Sequence, residues 1–196
     1  MSPVNSLKSS LFELKKIYSL AAIAMLLALR IVLGMFANAT LPFFGNAIKI
    51  SGAFLPIVLA GALFGPIPAM LVGALGDVLS YVIAPTAGGF FPGFTVSGAL
   101  TGLIYGFALY KQKITLPRVI IAWAINTLVV ETFLAAYWLY VIYMASSDKS
   151  YTAWLVARLI GQGVKCVPEI LLIFGMGKLS DTLQASLGKN IRHNNT

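Results

Sequence analysis

Residues 90–106, Phe-Phe-Pro-Gly-Phe-Thr-Val-Ser-Gly-Ala-Leu-Thr-Gly-Leu-Ile-Tyr-Gly, join an aromatic, glycine-containing loop directly to an apolar segment. Gly98, Gly102 and Gly106 are four residues apart, so they lie on one face of a helix, where bare backbone lets another helix approach closely. The preceding loop, residues 85–94, is too irregular to face lipid, because its backbone polar groups would lack hydrogen-bond partners there. The pattern predicts a closely packed membrane helix preceded by a loop that acts as a ligand lid.

The composition is that of a membrane protein. Hydrophobic residues make up 59% of the chain and charged residues 10%, and the mean hydropathy is +0.88, well outside the range of ordinary globular domains. The chain has room for about six spans of about 20 residues. The net charge of +8 does not indicate a nucleic-acid binder, because the basic residues are scattered among hydrophobic runs. The single Cys166 excludes an intrachain disulfide and a Cys-based metal site.

Hydropathy predicts an all-α integral membrane protein, a bundle of six transmembrane helices. The predicted spans are residues 17–37, 52–64, 67–84, 96–110, 118–144 and 152–177. Residues 17–177 therefore form the membrane domain. It is preceded by a cytoplasmic N-terminal segment, residues 1–16, and followed by a polar cytoplasmic tail, residues 178–196.

Charge predicts the orientation of the bundle. Most basic residues fall on the side of the termini: Lys8, Lys15, Lys16, Lys111, Lys113, Arg118, Lys178, Lys189 and Arg192. On the opposite side lie only Lys49 and Lys149. The positive-inside rule then places both termini in the cytoplasm and the three longer loops, residues 38–51, 85–95 and 145–151, outside. Longer, aromatic-rich outer loops suit the capture of an external solute.

Several ionisable residues lie inside the predicted spans: Arg30, Asp77, Glu131, Arg158, Lys165 and Glu169. A charge at membrane depth is costly, so it normally faces a bundle interior or cavity and has a partner. Arg30 and Arg158 lie near the outer loops without an acidic neighbour at helical spacing, and at least one is expected to contact an anionic solute. Lys165 and Glu169 are four apart, which suits either an intrahelical pair or a ligand clamp. Asp77 is expected to bind a donor-rich ring or to pair with Arg30.

Aromatic residues supply the apolar part of a candidate site. Phe90, Phe91 and Phe94 belong to the loop that also carries paired glycines and Pro92. A planar ligand beneath such a loop would stack on aromatic faces and be oriented by a few polar groups. Trp138 and its neighbouring tyrosines, at the outer end of the fifth span, are typical of an interfacial aromatic belt.

Pieces of sequence spread along residues 18–177 match one known family. They are Arg30; Ile48-Lys49-Ile50-Ser51; Leu63-Phe64-Gly65-Pro66; Gly76-Asp77; Phe90-Phe91-Pro92-Gly93-Phe94-Thr95; Gly102-Leu103-Ile104-Tyr105-Gly106; Trp138-Leu139; and Arg158. In these pieces the chain resembles the substrate-binding S components of energy-coupling factor (ECF) vitamin transporters, and among them the folate-specific members. The piece at residues 90–95 is the most specific. The chain departs from the folate type at Ala136-Tyr137, where those sequences usually carry Asn-Thr.

The resemblance implies a six-helix protein that captures folate or a related vitamin from outside the cell. It implies no catalytic residue, metal or cofactor, and it implies as partners a transmembrane coupling subunit and two ATPase subunits. The chain itself has no phosphate-binding G-x-x-x-x-G-K-[ST] loop. Ala24 and Ala28 match the motif that docks the coupling subunit, and residues 38–51 match the gating loop. Together with the ionisable residues above, this predicts as substrate-binding residues Arg30, Lys49, Asp77, Phe90, Phe91, Phe94, Thr95, Trp138, Arg158 and Lys165.

Other functions remain open from the sequence. The chain could be an S component for riboflavin, thiamine or a queuosine precursor. A self-sufficient secondary carrier would usually show internal repeats, and the two halves of the chain show none that is convincing. An intramembrane enzyme would need a nucleophile–base or metal constellation, whereas the sole histidine, His193, lies in the polar tail. We therefore predict a multi-pass cell-membrane protein that is not an enzyme.

Overall fold

The computed structural model describes residues 3–36, 52–85, 89–141 and 151–193, and in these ranges all regular secondary structure is helical. The helices are α1 (Pro3–Glu13), α2 (Ile17–Phe36), a 3-10 turn (Gly52–Phe54) leading into α3 (Leu55–Phe64), α4 (Pro66–Ile83), α5 (Pro92–Leu109), α6 (Leu116–Asn126), a π-helical segment (Thr127–Leu134), α7 (Ala135–Leu139) and α8 (Tyr151–His193).

Four segments of the described residues are long and apolar enough to cross a membrane. They are Ile17–Met35, Pro66–Ile83, Pro92–Leu109 and Leu116–Leu134. Gly52–Phe64 is a shorter apolar helix. These segments agree with the predicted membrane-spanning helical fold, and the count of six spans stays a prediction.

Two helix boundaries differ from those expected from hydropathy. α5 begins at Pro92 instead of residue 96, because a proline lacks an N–H that would be unpaired in the first turn anyway. Phe94 and Thr95 are thus helical. α8 runs for 43 residues to His193, so the predicted last span and the polar tail form one helix. At 1.5 Å per residue it is about 64 Å long, about twice the thickness of a hydrocarbon core.

The predicted fifth span changes helix type within its length. The α-helical turns of α6 end at Asn126, and eight residues, Thr127–Leu134, form a π-helix before α7. A π-helical stretch is rare and often lies near a functional site. Its wider turn shifts every following side chain around the helix axis, so the direction of Trp138 does not follow from the 3.6-residue period.

The glycine face of α5 packs directly on α4. Gly98 lies against the backbone of Gly73, and a Cβ built at Gly98 would be 2.7 Å from the Gly73 carbonyl oxygen. Gly102 likewise meets the backbone of Ala69, and the next glycine four residues on meets Pro66. The predicted close helix approach through this face is confirmed.

α3 is the central element of the bundle although it has only 10 residues. Val58 packs with Tyr105, Val119 and other residues of α5, α6 and α8, whereas Ile57 packs with residues of α2 and α4 such as Ile23. Seven consecutive residues of α3, from 56 to 62, are buried. Because both hydrophobic clusters include α3, it joins the two halves of the bundle.

α1 packs at one end of the bundle, on the turn between α3 and α4. The Ile67 backbone N–H donates to Ser10 Oγ at 3.0 Å. A Cβ built at Gly65 of this turn would meet both Ser10 and Tyr110, the residue after α5. The α1 helix and the turns that follow α3 and α5 therefore share one end, as the predicted topology requires. Placing that end in the cytoplasm stays a prediction.

Replacing Ser10 by alanine is expected to destabilise this end. Pro66 and Pro68 carry no N–H, so Ile67 holds the only backbone donor in the first three residues of α4, and Ser10 supplies its acceptor. Losing a side-chain cap typically costs about 0.5–2 kcal/mol, which a lower midpoint of thermal unfolding in detergent would report. Ser9→Ala is the control, because Ser9 Oγ bonds only within α1, to Ser6 O. Equal effects of the two variants would contradict the capping role.

Candidate ligand-binding site

An open cavity of about 140 Å³ lies between the end of α2, the second half of α4 and the start of α5. Because α4 begins beside α1 at Ile67 and ends at the cavity, the cavity lies at the end of the bundle opposite α1. Its lining residues are Gly34, Met35, Asp77, Ser80, Tyr81, Ala84, Gly89, Phe90, Phe91 and Phe94. Asp77, Phe90, Phe91 and Phe94 are therefore brought together, as the sequence predicts.

Asp77 is the charged group of the cavity wall. Its Oδ2 accepts a hydrogen bond from Thr95 Oγ1 at 2.7 Å, which links α4 to the first turn of α5. No ion pair within 4.0 Å joins Asp77 to Arg30, although both side chains are described. An ionised carboxylate can accept several hydrogen bonds, so Asp77 keeps acceptor capacity at the cavity surface beyond its contact with Thr95.

Arg30 makes contacts with the backbone instead of with an acidic partner. Its Nη1 donates to Ala53 O and its Nη2 to Gly73 O, each at 3.1 Å. The side chain crosses Gly76, where a Cβ would overlap its Nε and Cδ atoms. Arg30 thus joins α2, the 3-10 turn and α4 beside Asp77. The sequence predicted contact with an anionic solute, whereas the described contacts of Arg30 hold the scaffold of the cavity.

Three aromatic residues, Phe91, Phe94 and Trp138, form what we call the aromatic lid cluster. The Phe91 ring lies 5.9 Å from the Phe94 ring and 5.4 Å from the Trp138 ring, measured between centroids. Trp138 packs over Gly93, where a Cβ would be 2.7 Å from the indole. Trp138 Nε1 is buried without a partner among the described residues. Trp138 does not itself line the cavity but contacts Phe91, which does.

The remaining predicted cationic residues are not placed at the cavity by the described residues. Lys49 lies outside the described ranges, and Arg158 belongs to α8 with a side chain that is not among those described. Lys165 is partly buried in α8 and does not line the cavity. Glu169 accepts a hydrogen bond from Trp123 Nε1 at 2.8 Å. The side chains of Lys165 and Glu169 are both described, and no ion pair within 4.0 Å joins them.

Sequence reasoning missed six lining residues, and for most of them a signal was present. The six are Gly34, Met35, Ser80, Tyr81, Ala84 and Gly89. Ser80 and Tyr81 follow Asp77 by three and four residues, so they share its helix face. Gly34 and Met35 lie about one turn beyond Arg30 on α2. Extending the helical period from the two predicted charged residues would have found Gly34, Ser80, Tyr81 and Ala84. Met35, five residues after Arg30, and Gly89, in the loop before α5, do not follow from that period.

Ala24 and Ala28 lie on an open face of α2. Both are exposed in the described part of the chain, whereas Ile23 and Leu26 on the opposite face of the helix are 7% and 9% exposed. The alanine pair is therefore not used to pack the described bundle. This face remains available for another helix.

Comparison with known proteins places the chain in a family. Residues 18–176 match the model of the ECF transporter substrate-specific component. The chain belongs to this family. Its members are components of transporters, so the predictions of an S component, of a multi-pass membrane protein and of a protein that is not an enzyme are confirmed.

Within this family, the chain is similar to two curated folate transporters and to one solved structure. This S component is 32% identical over 171 residues to "Folate transporter FolT" of Clostridium novyi, which covers 87% of the chain and 94% of the relative. It is 33% identical over 140 residues to "Folate transporter FolT" of Leuconostoc mesenteroides, covering 70% of the chain and 72% of the relative. A crystal structure of FolT bound with folic acid matches with a TM-score of 0.71 and 33% identity, covering 83% of this chain and 92% of that one.

Proposed function

We propose that this S component captures folate, or a related pterin vitamin, outside the cell and delivers it through a transmembrane coupling subunit and two ATPase subunits. The observation that carries the proposal is the cavity in which Asp77 faces aromatic side chains, in a chain similar to folate transporters over most of its length. Two termini in the cytoplasm and six spans are part of this proposal.

The cavity suits the ring end of the ligand. A pterin presents adjacent N–H donors that the Asp77 carboxylate can accept as charge-assisted hydrogen bonds. Phe91 and Phe94 of the aromatic lid cluster line the cavity and offer flat faces for stacking, and Trp138 packs against Phe91. Sites for drug-sized ligands usually enclose about 300–1,000 Å³, so a cavity of about 140 Å³ holds one ring system, with the rest of the ligand beyond it.

The glutamate tail of folate carries two carboxylates, which need cationic partners. Lys49, Arg158 and Lys165 remain the proposed contacts for this tail. Arg158 is the first choice, because Gly177 of α8 meets Ile114, in the connection after α5 at the α1 end of the bundle, and Arg158 lies several turns before Gly177, toward the cavity end. A guanidinium also matches a carboxylate in a bidentate fork, which an ammonium cannot do. Arg30 is proposed to position Asp77 by holding Gly73 and Ala53.

Equilibrium titration of the purified protein with folate, riboflavin and thiamine tests the proposal. Folate is expected to bind most tightly, and native mass spectrometry of the untreated preparation is expected to show a retained folate mass. Tighter binding of riboflavin or thiamine would show that this vitamin, and not folate, is the ligand. Uptake by cells that lack the coupling subunit would instead indicate a self-sufficient carrier.

Substitutions of Arg158 and Arg30 are expected to affect the affinities for folate and for a pterin fragment differently. Arg158→Ala should weaken the binding of folate by about ten- to a hundredfold, because a hydrogen bond to a charged group contributes about 1.5–3 kcal/mol. It should leave a pterin fragment without glutamate nearly unaffected. Arg30→Ala should weaken both ligands alike, because Arg30 contacts the scaffold beside Asp77. Selective loss of folate in Arg30→Ala would instead show that Arg30 binds the tail.

The face of α2 that carries Ala24 and Ala28 is expected to dock the coupling subunit and not to bind the vitamin. Ala24→Leu and Ala28→Leu should abolish uptake because a bulky side chain prevents close helix approach, and ligand affinity should be nearly unchanged since both residues are exposed. Val82→Leu, an enlargement at a site on α4 that is 67% exposed, is the control and should transport normally. Loss of affinity together with uptake would mean that the alanines support the bundle.

A further inference from the structure

Helix α1 has polar side chains inside and apolar side chains outside. Ser6 and Ser10 are only 8% and 0% exposed, because they face the rest of the protein. Val4, Leu11 and Phe12 are 59%, 51% and 62% exposed. A helix on a water-facing surface has the opposite distribution. The outward face of α1 therefore fits an apolar environment and not bulk water.

Basic side chains share this outward face. Val4, Lys8 and Leu11 are spaced by four and three residues, so they form one stripe along α1. Lys15 follows in the connection to α2. Both lysines are exposed, and Lys15 Nζ lies 5.5 Å from the centroid of the Phe12 ring. A helix that mixes large apolar side chains with lysines is typical of one lying in the plane of a membrane interface.

The outward face is continuous with the lipid-facing surface of α2. A short connection, residues 14–16, joins the two helices. Ile17 and Tyr18, which begin α2, are 76% and 87% exposed. Since α2 is one of the helices able to cross a membrane, its first turn marks the level of the membrane surface. α1 ends close to that level, at Glu13.

The charge at this end of the bundle is positive. Lys111 and Lys113, on the turn after α5, are exposed like the lysines of α1. The acidic Glu13 offsets only one of the lysines at this end, and its carboxylate accepts from Lys16 Nζ at 2.7 Å and from Ser19 Oγ at 2.8 Å. Burial raises the pKa of Glu13, but these hydrogen bonds and the charges of Lys16 and Lys111 together hold the pKa below its usual value. An anionic surface is thus favoured at this end.

We propose that α1 is an interfacial helix that binds anionic lipid headgroups. Leu11 and Phe12 enter the boundary between headgroups and acyl chains, while Lys8 and Lys15 contact lipid phosphates. Ser10 on the opposite face accepts from Ile67 N–H, so the lipid-bound helix holds the start of α4 at the membrane surface. The proposal does not depend on which vitamin the protein carries.

Spin labelling of the full-length protein in vesicles tests this inference. Leu11→Cys is labelled in a Cys166→Ser background, which contains no other cysteine, and collision rates with a water-soluble nickel chelate and with oxygen are measured. Lys113→Cys is the matched control, because it is exposed at the same end but outside α1. In vesicles of phosphatidylcholine and phosphatidylglycerol, the nickel collision rate at position 11 is expected to be about tenfold lower than at position 113.

The role of charge is tested in the same vesicles. Protection at position 11 should be weaker in pure phosphatidylcholine, at high salt, and in the Lys8→Gln/Lys15→Gln variant, because these conditions remove or screen the attraction to phosphate. Equal nickel access at positions 11 and 113 would overturn the proposal. Equal protection in both lipids would overturn the anionic assignment. Protection that appears only after the coupling subunit is added would show that a protein covers this face.

Discussion

Replacing Gly102 by alanine is expected to cause a large loss of stability. The new Cβ would overlap the carbonyl group of Ala69, which belongs to the backbone of α4 and cannot rotate away. α4 and α5 would then have to separate along the contact that also includes Gly73 and Gly98. Overpacking typically costs about 1–3 kcal/mol, and a backbone obstacle favours the upper part of that range. The measurement is the midpoint of thermal unfolding in detergent.

Gly175→Ala is the matched control. Gly175 is also a helical glycine in an apolar segment, but no described atom lies within 4 Å of a Cβ built there. Alanine favours a helix over glycine by about 0.5–1 kcal/mol, so this variant should be unchanged or slightly more stable. Equal stability of Gly102→Ala and Gly175→Ala would show that α4 and α5 are not in backbone contact.

Replacing Asp77 by alanine is expected to cause the largest loss of ligand affinity. If the carboxylate accepts two N–H groups of a pterin, its removal eliminates two charge-assisted hydrogen bonds, each contributing about 1.5–3 kcal/mol. Folate affinity should then fall by at least about a hundredfold. Asp77→Asn should recover part of the loss, because an amide keeps one acceptor oxygen but also places donors toward those of the ring. Isothermal titration calorimetry measures both variants.

Two controls separate this effect from general damage. Asp181 lies on α8 four residues after Gly177, which meets Ile114 at the α1 end of the bundle. Asp181→Asn should bind folate normally, because Asp181 is exposed and distant from the cavity-lining residues. Thr95→Val removes the donor to Asp77 and should reduce affinity less than Asp77→Ala does. A loss in Asp77→Ala of less than about threefold, with unfolding unchanged, would remove Asp77 from the proposed ring site.

The site could be predicted in part because some of its residues are adjacent in sequence. Phe90, Phe91 and Phe94 precede or begin one helix, so their shared location follows from local chain geometry. Tyr81 and Ser80 follow Asp77 at helical spacing and needed only the period to be extended. The position of Trp138 beside Phe91 could not be read in this way, because the π-helical segment before it changes the helical phase.

The sequence by itself determined the membrane class, the limits of most apolar helices, the glycine face of α5 and the resemblance to the ECF family. Hydrophobicity and residue spacing are local properties, and in lipid every backbone polar group must be paired within a helix, which leaves few alternatives. Only the tertiary structure decided the partners of the charged residues. Arg30 uses the carbonyl groups of Ala53 and Gly73 instead of Asp77, and Asp77 accepts from Thr95. Hydrogen-bond partners depend on distances of a few tenths of an ångström between separate helices, and spacing along one chain does not contain that information.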